Sequence, residues 1–227
     1  MKNGDLSRLP HPPSSRLIKE NSDRPINQKQ NQYQFLIGSY MPLPKALILV
    51  DLLEDFAIGG ALPIKDTRYI AKKANEIMDQ YPYVVSVEDF HPSNHCSFDI
   101  WPSHCLQGTF GANLVKELNL EKITQRIKKG IDIDIDSYSG FLDDDQKHET
   151  GLNDYLKEKK VEAVDIIGVA TEYCVKATAI DAIKFGYDVT VLVGLIDGVG
   201  VKEGDEKKAL DEMKEWGVKF KIGCEIV

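Results

Sequence analysis

"KALILVD", residues 45–51, is the stretch that decides the fold of this chain. Its five residues from Ala46 to Val50 are all apolar, and they lead directly into Asp51. A half-exposed strand alternates apolar and polar residues, whereas a strand of a parallel sheet that is buried on both faces is continuously apolar. The stretch therefore predicts a central strand of a parallel sheet that ends at an aspartate.

Strands and helices alternate along the rest of the chain, as they do in α/β proteins. The helix predicted over residues 66–80 has Ile70, Ala74, Ile77 and Met78 at helical spacing. Further strands are predicted in "YVVSVED", "ITQRIK", "AVDIIGVA", "DVTVLVG" and "VKFKIG", and further helices over residues 151–159, 172–185 and 205–216. We expect an α/β fold with a six-stranded, mainly parallel sheet flanked by helices.

Composition and charge narrow the class of protein. The chain has 227 residues, of which 42% are hydrophobic and 28% charged, and this suits one globular domain with a substantial core. Its apolar runs are far shorter than the roughly 18 residues that a membrane span requires, so we expect no membrane segment. A net charge of -8 argues against sequence-independent nucleic-acid binding, which needs a cationic surface. A small polar substrate is the better expectation.

The cysteines point to a reducing compartment. We see no secretory signal, so free or catalytic thiols are expected rather than disulfides, and the cytoplasm is the expected location. Cys96 and Cys105 are candidate thiolate ligands, but we expect both to be buried packing groups. The four cysteines are Cys96, Cys105, Cys174 and Cys224.

Residues 1–40 differ in kind from the rest of the chain. They are rich in Pro, Asn, Gln, Ser and charged residues and have almost no apolar periodicity. Such a segment cannot bury enough surface to offset the entropy of ordering. We expect a disordered or loosely attached N-terminal extension over residues 1–40 and a folded domain over residues 41–227. Met41 is a plausible start of the protein, because the folded pattern begins a few residues later.

Polar residues stand where the predicted strands end. Asp51 closes the first strand, Asp89 closes the second, Lys128 and Lys129 follow the third, and Cys174 follows the fourth. Each alone has an ordinary structural reading as a helix cap, a solvated lysine or a core thiol. Ligands of parallel sheets, however, bind beyond the carboxyl ends of the strands, where these residues would meet. Together they predict a functional crevice.

Cys174 lies in the first turn of the helix that follows the fourth strand, within "GVATEYCVKATAIDAIKFG". At a helix N-terminus the dipole favours a thiolate, and unpaired backbone amides can hold an oxyanion. A nucleophilic thiol also needs a base or a cationic neighbour, and Asp51 with Lys129 supplies both functions. We predict a catalytic triad of Cys174, Asp51 and Lys129.

A metal site is predicted in "VEDFHPSNHCSFDIWPSHC", which begins in the second strand. Asp89, His91 and His104 offer one carboxylate and two imidazoles, a set suited to zinc, iron or manganese. His95 is either a fourth ligand or a supporting residue. We favour the supporting role, because "HPSNH" suits a tight turn.

Five stretches carry a family resemblance that covers about residues 46–196. They are "ALILVDLLEDF", "EDFHPSNHCSF", "WPSHCLQGTFGA", "KKGIDIDIDSYSGF" and "GVATEYCVKATAIDA". In this order they resemble the nicotinamidases of the isochorismatase-like cysteine hydrolase superfamily. The resemblance implies a three-layer, isochorismatase-like hydrolase domain over residues 41–227. It also implies that the substrate is nicotinamide, hydrolysed to nicotinate and ammonia in NAD salvage.

The resemblance implies a role for each residue of the predicted triad. Cys174 resembles the nucleophile of the family, Asp51 its base and Lys129 the third member. A cis peptide bond between Val169 and Ala170 is also implied. It would turn the backbone amides of Ala170 and Cys174 toward the oxyanion of the reaction.

The resemblance likewise implies how the ring of the substrate is held. Asp89, His91 and His104 resemble the ligands of a divalent metal ion, zinc before iron or manganese, that binds the pyridine nitrogen. Phe56 and Trp101 resemble the aromatic walls of the ring pocket.

One departure from the family and two rival functions remain. Leu53 stands where the family often has a glutamine, so a hydrogen bond to substrate is expected to be missing. The first rival is a metal-free relative that acts on isochorismate or on an N-carbamoyl amide, and the predicted metal ligands argue against it. The second is a non-catalytic binding protein, against which the intact triad argues.

A homo-oligomer is left open, and the acidic segment over residues 132–143 is expected to be a solvated loop.

Overall fold

One mixed sheet runs through the computed structural model, which describes residues 44–222 and 225–226. Its strands are β1 Lys45–Val50, β2 Tyr83–Asp89, β3 Gln125–Lys129, β4 Ala163–Val169, β5 Asp188–Asp197, β6 Lys219–Ile222 and β7 Glu225–Ile226. They lie in the order β3-β2-β1-β4-β5-β6-β7; β1 to β6 are parallel and β7 is antiparallel to β6. The predicted six-stranded, mainly parallel sheet is confirmed, with the two-residue β7 as an addition.

Two of the predictions fall on parts of the chain outside the described residues. They are the N-terminal extension over residues 1–40, with Met41 as a start, and the state of Cys224.

β1 lies at the centre of the sheet, between β2 and β4. Its residues from Ala46 to Val50 are completely buried. Leu47 and Leu49 join one hydrophobic cluster, whereas Ile48 and Val50 join the other. Because successive side chains of a strand point to opposite faces, one apolar run supplies the core on both sides of the sheet.

Helices cover both faces of the sheet, which gives the three predicted layers. α1 Thr67–Ile77 packs its buried Ile70, Ala71 and Ala74 into the cluster that contains Leu47. Three helices contribute to the opposite cluster: α2 Leu152–Glu158, α3 Lys176–Lys184 and α4 Asp205–Glu215. Within the described part of the chain, no helix combines the length and the apolar character that crossing a membrane requires.

Several element boundaries differ from the sequence-based expectation, and two of the differences are local irregularities. β5 continues to Asp197, beyond the predicted end at Gly194, and its pairing with β4 shifts register between Ile166 and Gly168. The helix predicted over residues 172–185 begins with a π-helical turn, Thr171–Val175, before α3. Neither a register shift nor a π-turn leaves a periodic signal in the sequence, because each is a single local irregularity.

The order of the strands locates the site. β1 and β4 are neighbours in the sheet, although β2 and β3 separate them along the chain. The connections therefore leave β1 and β4 toward opposite edges of the sheet, and a crevice opens at their carboxyl ends. Asp51 follows β1 and Ala170 follows β4 at this position.

Gly168 allows β4 and β1 to approach each other there. Its φ is +125°, and a Cβ atom would lie 2.0 Å from the carbonyl oxygen of Val50. A side chain at this position would both strain the backbone and displace the neighbouring strand.

We expect Gly168→Ala to lower the free energy of unfolding by about 3 kcal/mol or more, since strain and overpacking add. Gly194→Ala is the matched control: Gly194 also lies in a strand, but a Cβ atom there would meet nothing within 4 Å. Its effect should stay below about 1 kcal/mol. Denaturant unfolding followed by circular dichroism measures both, and equal losses would contradict the role of the close approach.

Candidate active site and metal centre

Asp51 occupies the point at which β1 ends, and its conformation is unusual. It is completely buried and its φ is +51°, in the left-handed region that non-glycine residues rarely adopt. Its amide donates to the carbonyl of Val87 at 2.9 Å, and its Oδ1 accepts the amide of Asp89 at 2.9 Å. Two bonds to β2 thus fix the direction of the Asp51 carboxylate.

Lys129, the last residue of β3, places a buried ammonium group among the predicted catalytic residues. Its Nζ lies 3.1 Å from Asp51 Oδ2 and 3.4 Å from Cys174 Sγ, and it donates to the carboxylate of Asp89. A further bond of 2.8 Å to the carbonyl of Ser137 orients it. The structure therefore brings the three predicted triad residues together around one cation.

Lys128, which the sequence pattern paired with Lys129, lies elsewhere. Its ammonium group contacts the buried carboxylate of Glu88, which also receives two bonds of 2.7 Å from Arg126. Successive residues of a strand face opposite sides of the sheet, so only one of two adjacent lysines can reach the site.

Cys174 is placed by the π-helical turn after β4. The carbonyl of Ala170 accepts the amides of Tyr173 and Val175, both at 3.1 Å, on either side of Cys174. The thiol is 6% exposed, and potential ligand atoms of Asp51, Asp89 and Cys174 all lie within 4.8 Å of one another. The peptide bond between Val169 and Ala170 is cis, as the resemblance implied.

The environment separates the proton affinities of these groups. Burial and the charge of Asp89 raise the pKa of Asp51 to about 7. Burial raises the pKa of Cys174 well above its usual value, although Lys129 opposes the shift. Burial also disfavours a charged Lys129, but Asp51 and Asp89 outweigh it and hold the pKa of Lys129 well above its usual range.

Burial thus favours the neutral thiol of Cys174, whereas the position at the helix start favours the thiolate. A buried thiol stands beside a carboxylate whose raised pKa suits it to accept a proton. The pKa of this thiol is raised because the sulfur is almost fully removed from water, and the nearby charge of Lys129 only partly opposes that effect.

Asp89, His91 and His104 converge as the sequence predicted. The Nε2 atoms of His91 and His104 lie 3.5 Å and 3.8 Å from Asp89 Oδ2. The Nδ1 of His91 lies 2.9 Å from the carbonyl oxygen of Gly130, and the Nδ1 of His104 lies 2.7 Å from that of Pro102. A carbonyl accepts only from a protonated nitrogen, so each Nε2 is left to face the carboxylate.

These three residues fit a divalent metal ion. Their donor atoms lie within 4.8 Å of one another, and backbone carbonyls that bind Nδ1 commonly fix the histidine tautomer at metal sites. Burial opposes ionisation of Asp89, but Lys129 and His91 outweigh it and hold the pKa of its carboxyl well below the usual range. Burial also lowers the pKa of His104, which favours the neutral imidazole that a metal ion requires.

His95 supports His91. The two rings stack with centroids 4.1 Å apart, and His95 Nδ1 bonds to Ser97 Oγ at 2.7 Å. His95 Nε2 lies 3.3 Å from the carbonyl oxygen of Ile135. Since both ring nitrogens have protein partners, the contacts match a supporting position more closely than a ligand position.

Two expectations for the surrounding loops need correction. Cys105 is buried as expected, but Cys96 is only half-buried, and its amide bonds at 2.9 Å to the carbonyl of Ile133, which is itself exposed. Asp136 belongs to the acidic segment expected to be solvated, yet it is half-buried and lines the cleft. Leu53, the departure from the family, is completely buried in the core.

A cleft with about 410 Å³ of empty space, including the part open to solvent, connects Cys174 with the three candidate metal ligands. Phe56 and Trp101 line this cleft. Its full lining comprises Phe56, Leu62, Asp89, His91, Ser97, Trp101, His104, Asp136, Ser137, Tyr138, Ala170, Tyr173, Cys174 and Val199.

Tyr138 and Tyr173 are parts of the cleft that the sequence reasoning missed. Trp101 Nε1 donates to the Tyr138 hydroxyl at 3.1 Å, and the Trp101 ring meets Tyr173 edge-on with centroids 5.1 Å apart. Tyr173 directly precedes Cys174, and Tyr138 stands in the quoted stretch "DSYSGF". Their closeness in sequence to predicted site residues was the signal that could have indicated that both tyrosines line the cleft.

Fold and site together define a doubly wound α/β protein with a buried cysteine, a carboxylate and a lysine at its switch point. The isochorismatase domain family matches residues 45–220, and the chain belongs to this family.

Three relatives illustrate the similarity. The chain is 34% identical over 197 residues to the nicotinamidase of Escherichia coli. The aligned region covers 77% of this chain and 92% of that protein. The structure of PnC1 from L. infantum in complex with nicotinate has a TM-score of 0.76 and 35% identity, covering 79% of this chain and 93% of that one. The pyrazinamidase of Pyrococcus horikoshii in complex with zinc has a TM-score of 0.70 and 40% identity, covering 79% and 99%.

We expect Lys129→Met to destabilise the fold strongly. It leaves the buried carboxylates of Asp51 and Asp89 without their shared cation, and breaking a buried ion pair typically costs about 3 to 5 kcal/mol. Lys128→Met is the matched control, because Arg126 still neutralises Glu88, and it should cost about 1 kcal/mol or less. Urea unfolding in metal-free buffer measures both variants. Similar losses from the two lysines would contradict the special position of Lys129.

Proposed function

We propose that this chain is a nicotinamidase, which hydrolyses nicotinamide to nicotinate and ammonia. The observation that carries the proposal is the approach of Lys129 to Asp51 and Cys174, because Cys174 lines the same cleft as Asp89, His91 and His104. A nucleophile and a metal site that share one small cleft suit a substrate with an amide at one end and a metal-binding atom at the other. The similarity to named nicotinamidases supports the same reading.

The ring of the substrate lies between Phe56 and Trp101 in this proposal. Both side chains line the cleft, and aromatic walls bind a flat heteroaromatic ring by stacking and by excluding water. Asp89, His91 and His104 would hold a divalent ion, zinc by preference, since the pyrazinamidase of Pyrococcus horikoshii is in complex with zinc. A bound ion would coordinate the pyridine nitrogen and withdraw electron density from the ring.

Acylation begins with a proton transfer. Asp51 takes the thiol proton of Cys174, the sulfur attacks the carboxamide carbon, and the carbonyl oxygen becomes an oxyanion. The backbone amides of Ala170 and Cys174 donate to this oxyanion. Asp51 then returns the proton to the leaving nitrogen, and ammonia departs from a thioester on Cys174.

Deacylation uses the same base. Asp51 takes a proton from water, which attacks the thioester carbon, and the bond to Cys174 breaks. Asp51 then returns this proton to the departing sulfur, and the product leaves as nicotinate after its carboxyl group loses a proton to solvent. Lys129 keeps its positive charge throughout. It offsets the negative charge that passes between Asp51 and Cys174, from which it lies 3.1 Å and 3.4 Å away.

The metal-free relatives that act on isochorismate or N-carbamoyl amides are the rival function. They have no use for two buried imidazoles whose Nε2 atoms face one carboxylate. We further propose a cytoplasmic location, because the reaction needs a reduced thiol and the cysteines of the described residues are free.

Ammonia release from a panel of amides tests the proposed function. Nicotinamide and pyrazinamide should be hydrolysed, whereas aliphatic amides and N-carbamoyl amino acids should not. Metal removal by a chelator should abolish the activity and added zinc should restore it, with zinc content measured on the same samples. Full activity of the metal-free protein, or a preference for N-carbamoyl compounds, would favour the rival function.

We expect Cys174→Ala to abolish turnover. Loss of the nucleophile from a coupled triad typically lowers the rate by a factor on the order of 10⁴ or more. Zinc binding should persist, because the thiol is not among the proposed metal ligands. Cys96→Ala is the control and should keep the rate within about threefold, since its effect is confined to packing. Steady-state kinetics and zinc analysis of the two variants decide the point, and a retained rate in Cys174→Ala would overturn the assignment.

A further inference from the structure

Asp55 lies outside the predicted set, in the short 3₁₀ turn Glu54–Phe56 that follows β1. Its Oδ2 accepts the amide of Cys105 at 2.7 Å, across 50 positions of sequence, and its Oδ1 accepts the amide of Ala61 at 3.3 Å. The carboxylate therefore ties together two loops that border the cleft. One of them carries His104, the residue before Cys105.

Cys105 links both histidines of the proposed metal site. It directly follows His104, and its carbonyl accepts the amide of His91 at 3.0 Å. Cys105 is completely buried and has a φ of +49°, a left-handed conformation that a side chain makes costly. Such a conformation persists only where the surroundings enforce it. The short bond from the Cys105 amide to Asp55 can enforce it.

Gly111 leaves the room that the Asp55 carboxylate occupies. A Cβ atom on Gly111 would lie 2.0 Å from Asp55 Oδ2, so any side chain there would displace the carboxylate. The Asp55 amide also donates to the Gly111 carbonyl at 3.0 Å, which fixes the distance between the two residues. Gly111 and the Cys105 amide thus define one narrow position for this carboxylate.

We propose that Asp55 is a positioning residue for the metal centre. By holding the amide of Cys105, it sets the backbone from which His104 projects and which anchors His91. Asp55 acts through the backbone and does not touch the proposed ion. The inference rests on the proposed metal-dependent function, and it adds a determinant of metal affinity that lies outside the ligand set.

The consequence follows from how hydrogen bonds around metal ligands act. Removal of a hydrogen-bonding partner that orients a metal ligand typically weakens metal affinity by a factor of about 10 to 100. Asp55→Ala removes both hydrogen bonds, whereas Asp55→Asn removes the charge but keeps a carbonyl oxygen that can accept the Cys105 amide. The pair of variants therefore separates positioning from long-range attraction between a carboxylate and a cation.

The test measures zinc affinity of the full chain by competition with a chromophoric chelator, and ligand geometry by the visible spectrum of the cobalt(II) form. The variants are Asp55→Ala, Asp55→Asn, Gly111→Ala and the control Asp99→Ala, which removes an exposed carboxylate from the same loop as His104. Circular dichroism verifies that each variant is folded. Gly111→Ala displaces the carboxylate without changing Asp55, so the test does not depend on one variant folding.

We expect Asp55→Ala and Gly111→Ala to bind zinc about 10 to 100 times more weakly and to alter the cobalt spectrum. Asp55→Asn should stay within about threefold of the wild type, and Asp99→Ala should match it. The inference is overturned if Asp55→Ala and Gly111→Ala bind zinc like the wild type, or if Asp55→Asn loses as much as Asp55→Ala. A wild type that itself binds no zinc would instead refute the proposed metal-dependent function.

Discussion

The buried ammonium group of Lys129 is the interaction on which the rest of the site depends. Asp51 and Asp89 are both almost completely removed from water at the ends of adjacent strands. Burying an ionised carboxylate costs a large free energy unless a nearby cation offsets it. Lys129 reaches both carboxylates from the third strand of the same parallel set. Parallel pairing brings the three strand ends to one edge of the sheet, so the topology itself assembles the charge cluster.

One cation joins two kinds of chemistry in this arrangement. Asp51 lies near the thiol of Cys174, and Asp89 lies near the imidazoles of His91 and His104. Lys129 contacts both carboxylates. The pKa of Asp51 is raised by burial and by the charge of Asp89, while the pKa of Asp89 is held low by Lys129 and His91. Opposite pKa shifts of two neighbouring carboxyl groups are what the proposed mechanism requires, with Asp51 as proton acceptor and Asp89 as fixed anion.

The sequence was informative wherever a residue type and its place on a strand sufficed. The apolar run before Asp51 identified the central strand, and the strand ends identified Asp89, Lys129 and Cys174. The sequence did not reveal features that depend on contacts between distant segments of the chain. The bond from Asp55 to Cys105, the hydroxyl of Tyr138 at the Trp101 indole and the raised pKa of Cys174 all arise from tertiary packing, which no spacing rule encodes.

The position of β1 between β2 and β4 has a consequence for folding during synthesis. Ile48 pairs with Ile166, so β1, the first strand of the described residues, is synthesised more than a hundred positions before one of its two neighbours. Long-range pairing of this kind slows folding, because a large loop must close before the contact forms. Until then one edge of β1 lacks its partner strand, and an unpaired apolar edge makes a partly folded chain prone to aggregation. The residues that later form the core are therefore also the ones that put the folding chain at risk.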